Sequence, residues 1–399
     1  MKNGKRVRRD ESPSDMSSRG LAGQAPISSF SCPSFSWPLL SSLFSVYTKG
    51  VLKVAKRQKN VHFTIYIKTE GWETHIETVL ECARITQFVE VLVFGAGAIG
   101  SFFGALLSQR HDVTLIGRAE HSSTIKSRGL RVRGKTAIIA KPRAAIRVSR
   151  TARPDFVFVT TKSYDTANAM LVLRPFAERA IFVTLQNGLG NAETIARTAR
   201  RVVAGTTTHG VTFVGPGEIR HAGIGETVLG AWSGVDESDL VRLRDLLADV
   251  GIVASVTSDI RTELWSKLVV NASINPIAAL AELPNGRIVR DKHLLAVLDM
   301  VCREATEVAK AEGARVDYEE LRHRTLLVAK RTASNRASML QDLDRHRRTE
   351  IDAITGSIVR AAERHRIPVP LNAALYALVR AREAAHHEAS GPNVRHQSL

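Results

Sequence analysis

Cysteine is scarce. Cys32, Cys82 and Cys302 are the only three in 399 residues, and their spacing suits neither a disulfide framework nor a thiolate metal site. The expectation is a protein of a reducing compartment with no bound metal. Long apolar runs are missing too. No stretch of about 18 uninterrupted apolar residues occurs, so no transmembrane helix is expected. The nearest approach, residues 30–47, is broken by Pro33, Pro38 and six serines, and it begins too far into the chain for a signal peptide. Negative charge is in deficit: 39 Asp and Glu face 56 Lys and Arg, a formal net charge of +17. Residues 1–88 hold 13 basic residues against 7 acidic, and the remainder holds 43 against 32, so the surplus is spread along the chain. Such a surface suits either a nucleic-acid partner or an enzyme that gathers small anions. No nucleic-acid-binding motif is present, which favours the second. Neither nucleic acid nor membrane is expected as a partner, and the expected location is cytoplasmic.

What is present reads as two domains behind an extension. Hydrophobic content of 44% and charged content of 24% are those of a globular protein. Residues 1–88 open on a basic cluster (Lys5, Arg6, Arg8, Arg9), pass through a Ser/Pro-rich stretch and reach a Lys-rich patch at 49–59. This composition predicts a poorly ordered extension, disordered at least over 1–45, with a short strand at 61–67 and a short helix at 72–84. An appendage or an early translation start is one reading, and organelle targeting the other. Asp10, Glu11 and Asp15 among the basic residues count against targeting. From residue 89, apolar strands at 89–94, 113–116, 156–160, 181–185 and 202–204 alternate with helical segments, the pattern of a parallel sheet covered by helices. The glycine-rich stretch 211–230 reads as antiparallel strands. Beyond residue 259 the periodicity is helical, at 261–283, 294–312, 318–339, 347–366 and 372–387. The expected fold is therefore α/β: a Rossmann-type dinucleotide-binding domain at 89–258, an all-helical C-terminal domain at 259–389, and a loose tail at 390–399.

Gly95-Ala96-Gly97-Ala98-Ile99-Gly100 is G-x-G-x-x-G, set directly after a buried strand and opening a helix. Gly95 permits the tight turn, Gly97 lets backbone approach a pyrophosphate, and Gly100 lets the helix pack close to the strand. Free N–H groups at the helix start favour the anion. At the end of the second strand, where an acidic residue would bond a ribose 2′-hydroxyl, this chain has Gly117-Arg118. A guanidinium attracts a 2′-phosphate that a carboxylate would repel, so NADPH is the expected cofactor. The alternative is an ordinary solvated arginine.

Lys267, Asn271 and Asn275 recur every fourth residue in an otherwise apolar helix, with Trp265, Val269 and Ala272 opposite. Buried amides need partners, which a small polar substrate would supply; a half-solvated polar face is the alternative. Pro276 is expected to break or kink the helix. Reduction of a ketone delivers a hydride to carbon and a proton to oxygen, and a lysine ammonium can give the proton while stabilising the developing charge. Lys267 fits that role.

The chain resembles the ketopantoate reductase (2-dehydropantoate 2-reductase) family. The resemblance is carried, in order, by GAGAIG at 95–100, TKSYD from Thr161, QNGLGN from Gln186, GTTTHG from Gly205, ELWSKLVVNASINP from Glu263, PNG at 284–286, SMLQD from Ser338, RTEID from Arg348 and HRIPVPLN at 365–372. It implies a C-terminal domain of the 6-phosphogluconate dehydrogenase-like type and an NADPH-dependent oxidoreductase that converts ketopantoate to pantoate on the route to pantothenate and coenzyme A. By resemblance, Lys267 is the general acid and Glu350 the glutamate at the nicotinamide and substrate end. Asn271, Asn275 and Asn285 are substrate-binding asparagines, and Ser338 holds the substrate carboxylate. Asn187 bonds the cofactor ribose and approaches the substrate. Lys162 lies beside the dinucleotide, and Val211 offers it a backbone contact. Blander readings stay open: Asn187 and Asn285 could serve their turns, and Glu350 could pair with an arginine. A homodimer is compatible with the family. The alternatives are a reductase of another small 2-oxo acid on the same fold and, more remotely, a non-catalytic dinucleotide- or nucleic-acid-binding protein.

Overall fold

The computed structural model describes residues 51–57, 60–69, 72–76, 89–149 and 151–389. The expectations for residues 1–45 and for the tail from 390 lie outside them. The chain divides into two compact units, one ending at Thr86 and one beginning at Gln87.

In the first unit, Val51–Arg57, Asn60–Thr69 and Trp72–Ile76 form a three-stranded antiparallel sheet in that order. The expected strand at 61–67 lies within the second. The helix expected from Trp72 is a strand over its first five residues instead. Trp72-Glu73-Thr74-His75-Ile76 carries an aromatic or β-branched residue at every other position, which suits a pleated strand.

In the second unit, eight strands form one sheet. Their order is Arg143–Ala145, Asp112–Ile116, Glu90–Phe94, Phe156–Val159, Ile181–Thr184, Arg201–Thr207, Thr227–Ser233, Ala254–Val256. The first six run parallel. The seventh is antiparallel to the sixth, and the eighth parallel to the seventh. Val91, Leu92, Val93 and Phe94 are all buried, as the central strand of a sheet covered on both faces requires. The order reverses between Glu90–Phe94 and Phe156–Val159, so the crevice for a ligand opens at the carboxyl ends of these two strands. This is a Rossmann-type domain. The glycine-rich stretch divides: Gly210–Gly215 and Glu218–Gly223 are antiparallel and join Leu130–Gly134 and Ile138–Ala140 in a second sheet, whereas Thr227–Ser233 returns to the large one.

From Ile260 the chain is helical: Ile260–Ala281, Asn285–Ile288, Lys292–Ala311, Tyr318–Arg331, Ser338–Asp344, Thr355–His365 and Pro370–Ala389. The 22-residue helix Ile260–Ala281 packs against most of the others, around a core that includes Leu268, Val269, Leu298, Val301, Leu340 and Ile358. Pro276 does not break it. Ile274, Ile277, Ala278 and Ala279 around the proline are buried. Burial at about 25 cal/mol per Å² of apolar surface offsets one missing hydrogen bond. Two expected helices are interrupted. The one at 318–339 stops at Arg331, because the Ala333 and Asn335 carbonyls accept the N–H groups of Gly286 and Asn285. The one at 347–366 begins only at Thr355, leaving residues 348–354 as a turn whose polar groups find partners elsewhere in the fold.

Candidate active site

The glycine turn follows Phe94 and is tied by the Gly95 and Ala96 N–H groups donating to the Ile116 carbonyl at 3.0 and 2.9 Å. Gly95 has φ +108°, and a Cβ there would lie 2.6 Å from the Thr161 nitrogen. A Cβ on Gly100 would collide with the Gly95 carbonyl and the Thr160 hydroxyl. A Cβ on Gly97 would meet no protein atom within 4 Å. The turn is therefore closed on the protein side at Gly95 and Gly100 and open at Gly97, at the start of helix Ala98–Leu107, which has no side-chain cap. This is the shape of a backbone cradle for an anion. The helix is anchored by the Ser101 hydroxyl, 3.1 Å from His121 Nε2, while His121 Nδ1 accepts the Gly217 N–H at 2.9 Å. Burial lowers the His121 pKa to about 4, so it serves as a neutral linker. The cradle predicts a contrast. Gly95→Ala should cost about 1–3 kcal/mol of stability. Gly97→Ala should shift the melting temperature little yet weaken dinucleotide binding, as read by calorimetric titration.

Arg118 is exposed between strand Asp112–Ile116 and helix Ala119–Arg128, whose N-cap it forms. Val211 lies half-buried in strand Gly210–Gly215, opposite His221, and packs on the core that holds Phe102 and Phe103 of the nucleotide helix.

Glu350 is buried in the 348–354 turn and reaches across to the sheet's carboxyl ends. Its Oε1 accepts the Ser163 N–H at 3.1 Å; its Oε2 accepts the Asn187 side-chain amide at 3.4 Å and lies 3.6 Å from the Lys162 ammonium. Among the described residues no arginine bridges it. Lys162 donates to Asp342 Oδ2 at 2.7 Å. Burial works against the Lys162 charge, but the carboxylates of Glu350 and Asp342 outweigh it and hold the pKa above the ordinary lysine range. Burial raises the Asp342 pKa, and Lys162 opposes the rise. Breaking such a set by removing one member would leave an uncompensated charge, which is where its importance lies.

Lys267 projects from the middle of Ile260–Ala281. It keeps part of its surface open but is set deep in the protein mass. Burial pulls its pKa down to about 8, with Glu350 opposing the fall and Arg324 adding to it. Asn271 is half-buried and Asn275 buried. The side chain of neither makes a protein hydrogen bond among the described residues, and neither has a sealed orphan atom. Their amides are thus available to a third party. Ser338 is exposed at the first position of helix Ser338–Asp344, four residues before Asp342. Asn285 is turned differently: its amide donates to Thr332 Oγ1 at 2.9 Å, and its Oδ1 is sealed without a partner among the described residues. No cluster of metal-ligating side chains occurs among the described residues.

The likeness of this arrangement to known proteins is specific. Residues 91–234 match the model of "Ketopantoate reductase PanE/ApbA" and residues 259–383 that of "Ketopantoate reductase PanE/ApbA C terminal". The chain belongs to the ketopantoate reductase family. A 2-dehydropantoate 2-reductase of Halobacterium salinarum is 39% identical over 298 residues, covering 73% of this chain and 98% of that protein. One of Pyrococcus horikoshii is 36% identical over 299 residues, covering 74% and 98%. A solved ketopantoate reductase of Ralstonia eutropha superposes with a TM-score of 0.69 at 34% identity, covering 75% of this chain and 99% of that one. A D-mandelate dehydrogenase solved with NADH and anilino(oxo)acetate superposes with a TM-score of 0.72 at 25% identity, covering 75% and 99%.

Within this ketopantoate reductase framework some neighbours of the candidate residues are not legible in the sequence. Asp342 stands in the SMLQD motif, yet its bond to Lys162 spans 180 positions, which no local pattern reveals. Arg324, on a different helix, pairs with Glu263 at 3.8 Å one helical turn before Lys267. No helix among the described residues is long and apolar enough to cross a membrane.

Proposed function

We propose that the protein reduces 2-dehydropantoate (ketopantoate) to pantoate with NADPH, in the cytoplasm. In this reading residues 89–258 form the nucleotide-binding domain and residues 259–389 the substrate domain. The observation that carries the reading is Lys267: an ammonium with pKa near 8, deep in the fold, on one helical face with two amides that have no protein partner. The residues Gly95, Ala96, Gly97, Ala98, Ile99 and Gly100 suit a pyrophosphate, and Arg118 a 2′-phosphate. Lys162, Asn187 and the Val211 backbone would line the rest of the dinucleotide. Bound there, the reduced nicotinamide supplies the hydride. Ser338 and the amides of Asn271 and Asn275 hold the substrate, and Asn285 secures the loop that leads to Ser338. Lys267 donates a proton to the ketone oxygen, a transfer most effective when the acid's pKa lies near the working pH. Glu350 stabilises the charged form of Lys267 and fixes Asn187.

Purified protein mixed with NADPH and ketopantoate should consume the absorbance of reduced nicotinamide, and other 2-oxo acids should do so far more slowly. The likeness to D-mandelate dehydrogenase supports one rival, a reductase of another 2-oxo acid. Faster turnover of an aromatic 2-oxo acid than of ketopantoate would establish it. Arg118→Glu should raise the Kd for NADPH about 10- to 100-fold, the loss of a charge-assisted contact, and change that for NADH less. Equal changes for both would remove Arg118 from the 2′-phosphate site.

A further inference from the structure

The turn that carries Glu350 has no regular structure of its own, so its polar backbone must be satisfied from outside. On one side it meets the sheet: the Leu189 N–H donates to the Ala353 carbonyl at 2.9 Å, beside the Glu350 contacts with Ser163 and Asn187. On the other side it meets one face of the C-terminal helix Pro370–Ala389. Tyr376, Arg380 and Glu383 are spaced four and three residues apart and therefore share that face. The Thr349 N–H donates to Glu383 Oε1 at 2.6 Å, and Glu383 is only 5% exposed. The Tyr376 hydroxyl donates to Asp352 Oδ1 at 2.8 Å. Arg380 reaches both carboxylates, 3.2 Å from Glu383 and 3.4 Å from Asp352. Arg348 adds a 2.9 Å bridge to Asp352, and the Arg360 guanidinium donates to the Asp352 carbonyl at 2.9 Å. Thr349, immediately before Glu350, and Asp352, two residues after it, are thus gripped from the helix side.

A buried carboxylate is costly unless paired and hydrogen-bonded. Among the described residues the partners of Glu383 there are the backbone N–H next to Glu350 and the Arg380 guanidinium. A neutral amide would accept the same N–H at lower cost to the fold, and a leucine would fill the space. We propose that Tyr376, Arg380 and Glu383 form a positioning clamp for Glu350, holding its carboxylate against Ser163 and Asn187 and within the field of Lys267. The clamp rests on the role given to Glu350 under the proposed function. It acts through that residue and touches neither substrate nor cofactor. Small displacements of a reacting constellation carry large rate penalties, so the effect appears in kcat rather than in the KM for NADPH.

The test is a set of variants of the full chain assayed with NADPH and ketopantoate. Glu383→Ala should lower kcat about tenfold or more, move the alkaline limb of the pH–rate profile to lower pH, and leave the KM for NADPH near native. Glu383→Gln, which still offers an oxygen to Thr349, should recover to within about threefold of native. Added to Glu350→Gln, Glu383→Ala should lower kcat no further, because paired residues acting as one unit are non-additive. Where Glu383→Ala does not fold, Tyr376→Phe removes a single hydrogen bond and carries the same comparison, with a fall of about two- to fivefold. Native kcat and an unmoved alkaline limb in both Glu383→Ala and Tyr376→Phe would overturn the clamp. So would a full additive loss on the Glu350→Gln background. If Glu350→Gln itself keeps native turnover, the fault lies in the role of Glu350, and the clamp falls with it. If Glu350→Gln is slow and the clamp variants are not, the clamp alone falls.

Discussion

Lys267→Ala is expected to lower kcat by about 10²- to 10⁴-fold, the usual contribution of a positioned general acid, with the Kd for NADPH nearly unchanged. In the proposed mechanism the protonated amine is the active form, so kcat in the native protein should fall as pH rises through about 8, the value to which burial brings this group. Stability runs the other way. The folded-state pKa is lowered from an ordinary value of 10.5, so between about 8 and 10.5 the unfolded chain binds a proton that the folded chain has released. Folding therefore gains stability as pH rises across that window and carries the cost of the buried charge below it. Lys267→Met should accordingly melt no lower than the native protein at pH 7 while losing turnover. A thermal melt beside the kinetic assay separates lost chemistry from lost structure. A Lys267→Met protein that melts normally and turns over normally would remove the lysine from the mechanism.

Glu350→Gln is expected to lower kcat about 10- to 100-fold. The amide keeps the volume of the buried side chain and an oxygen for the Ser163 N–H, so the fold should survive. Two electrostatic consequences follow. Lys162 is left with Asp342 alone, 2.7 Å away, and Lys267 loses the one carboxylate that raises its pKa. The alkaline limb of the pH–rate profile should therefore move to lower pH than in the native protein. A limb that stays in place, with kcat reduced, would mean that Glu350 acts on substrate or cofactor without tuning the lysine.

The cofactor turn was legible because its chemistry is local. Strand, glycines and helix start lie within eleven residues, Glu90 to Gly100; Gly95 and Gly100 answer contacts made by the turn itself or by Thr160 and Thr161, and Gly97 stays open. The stripe of Lys267, Asn271 and Asn275 was legible for the same reason, since helical period alone puts the three on one face. Pro276 misled because proline's local cost was weighed without the burial of Ile274 and Ile277 around it. Trp72 misled because period two and period 3.6 are hard to separate over five residues.

By itself the sequence determined the Rossmann strand–turn–helix, the switch to a helical second half and the family. These properties follow from short-range periodicity and from motifs whose parts touch one another along the chain. Only the tertiary structure decided where helices stop short of their amphipathic pattern, that Asp342 neutralises Lys162, and that a C-terminal helix grips the turn bearing Glu350. Each of those depends on a polar group finding its partner from 24 to 180 residues away. Such pairings are set by how the sheet and the helices pack, and that packing minimises unpaired buried charge over the whole fold rather than within any one segment.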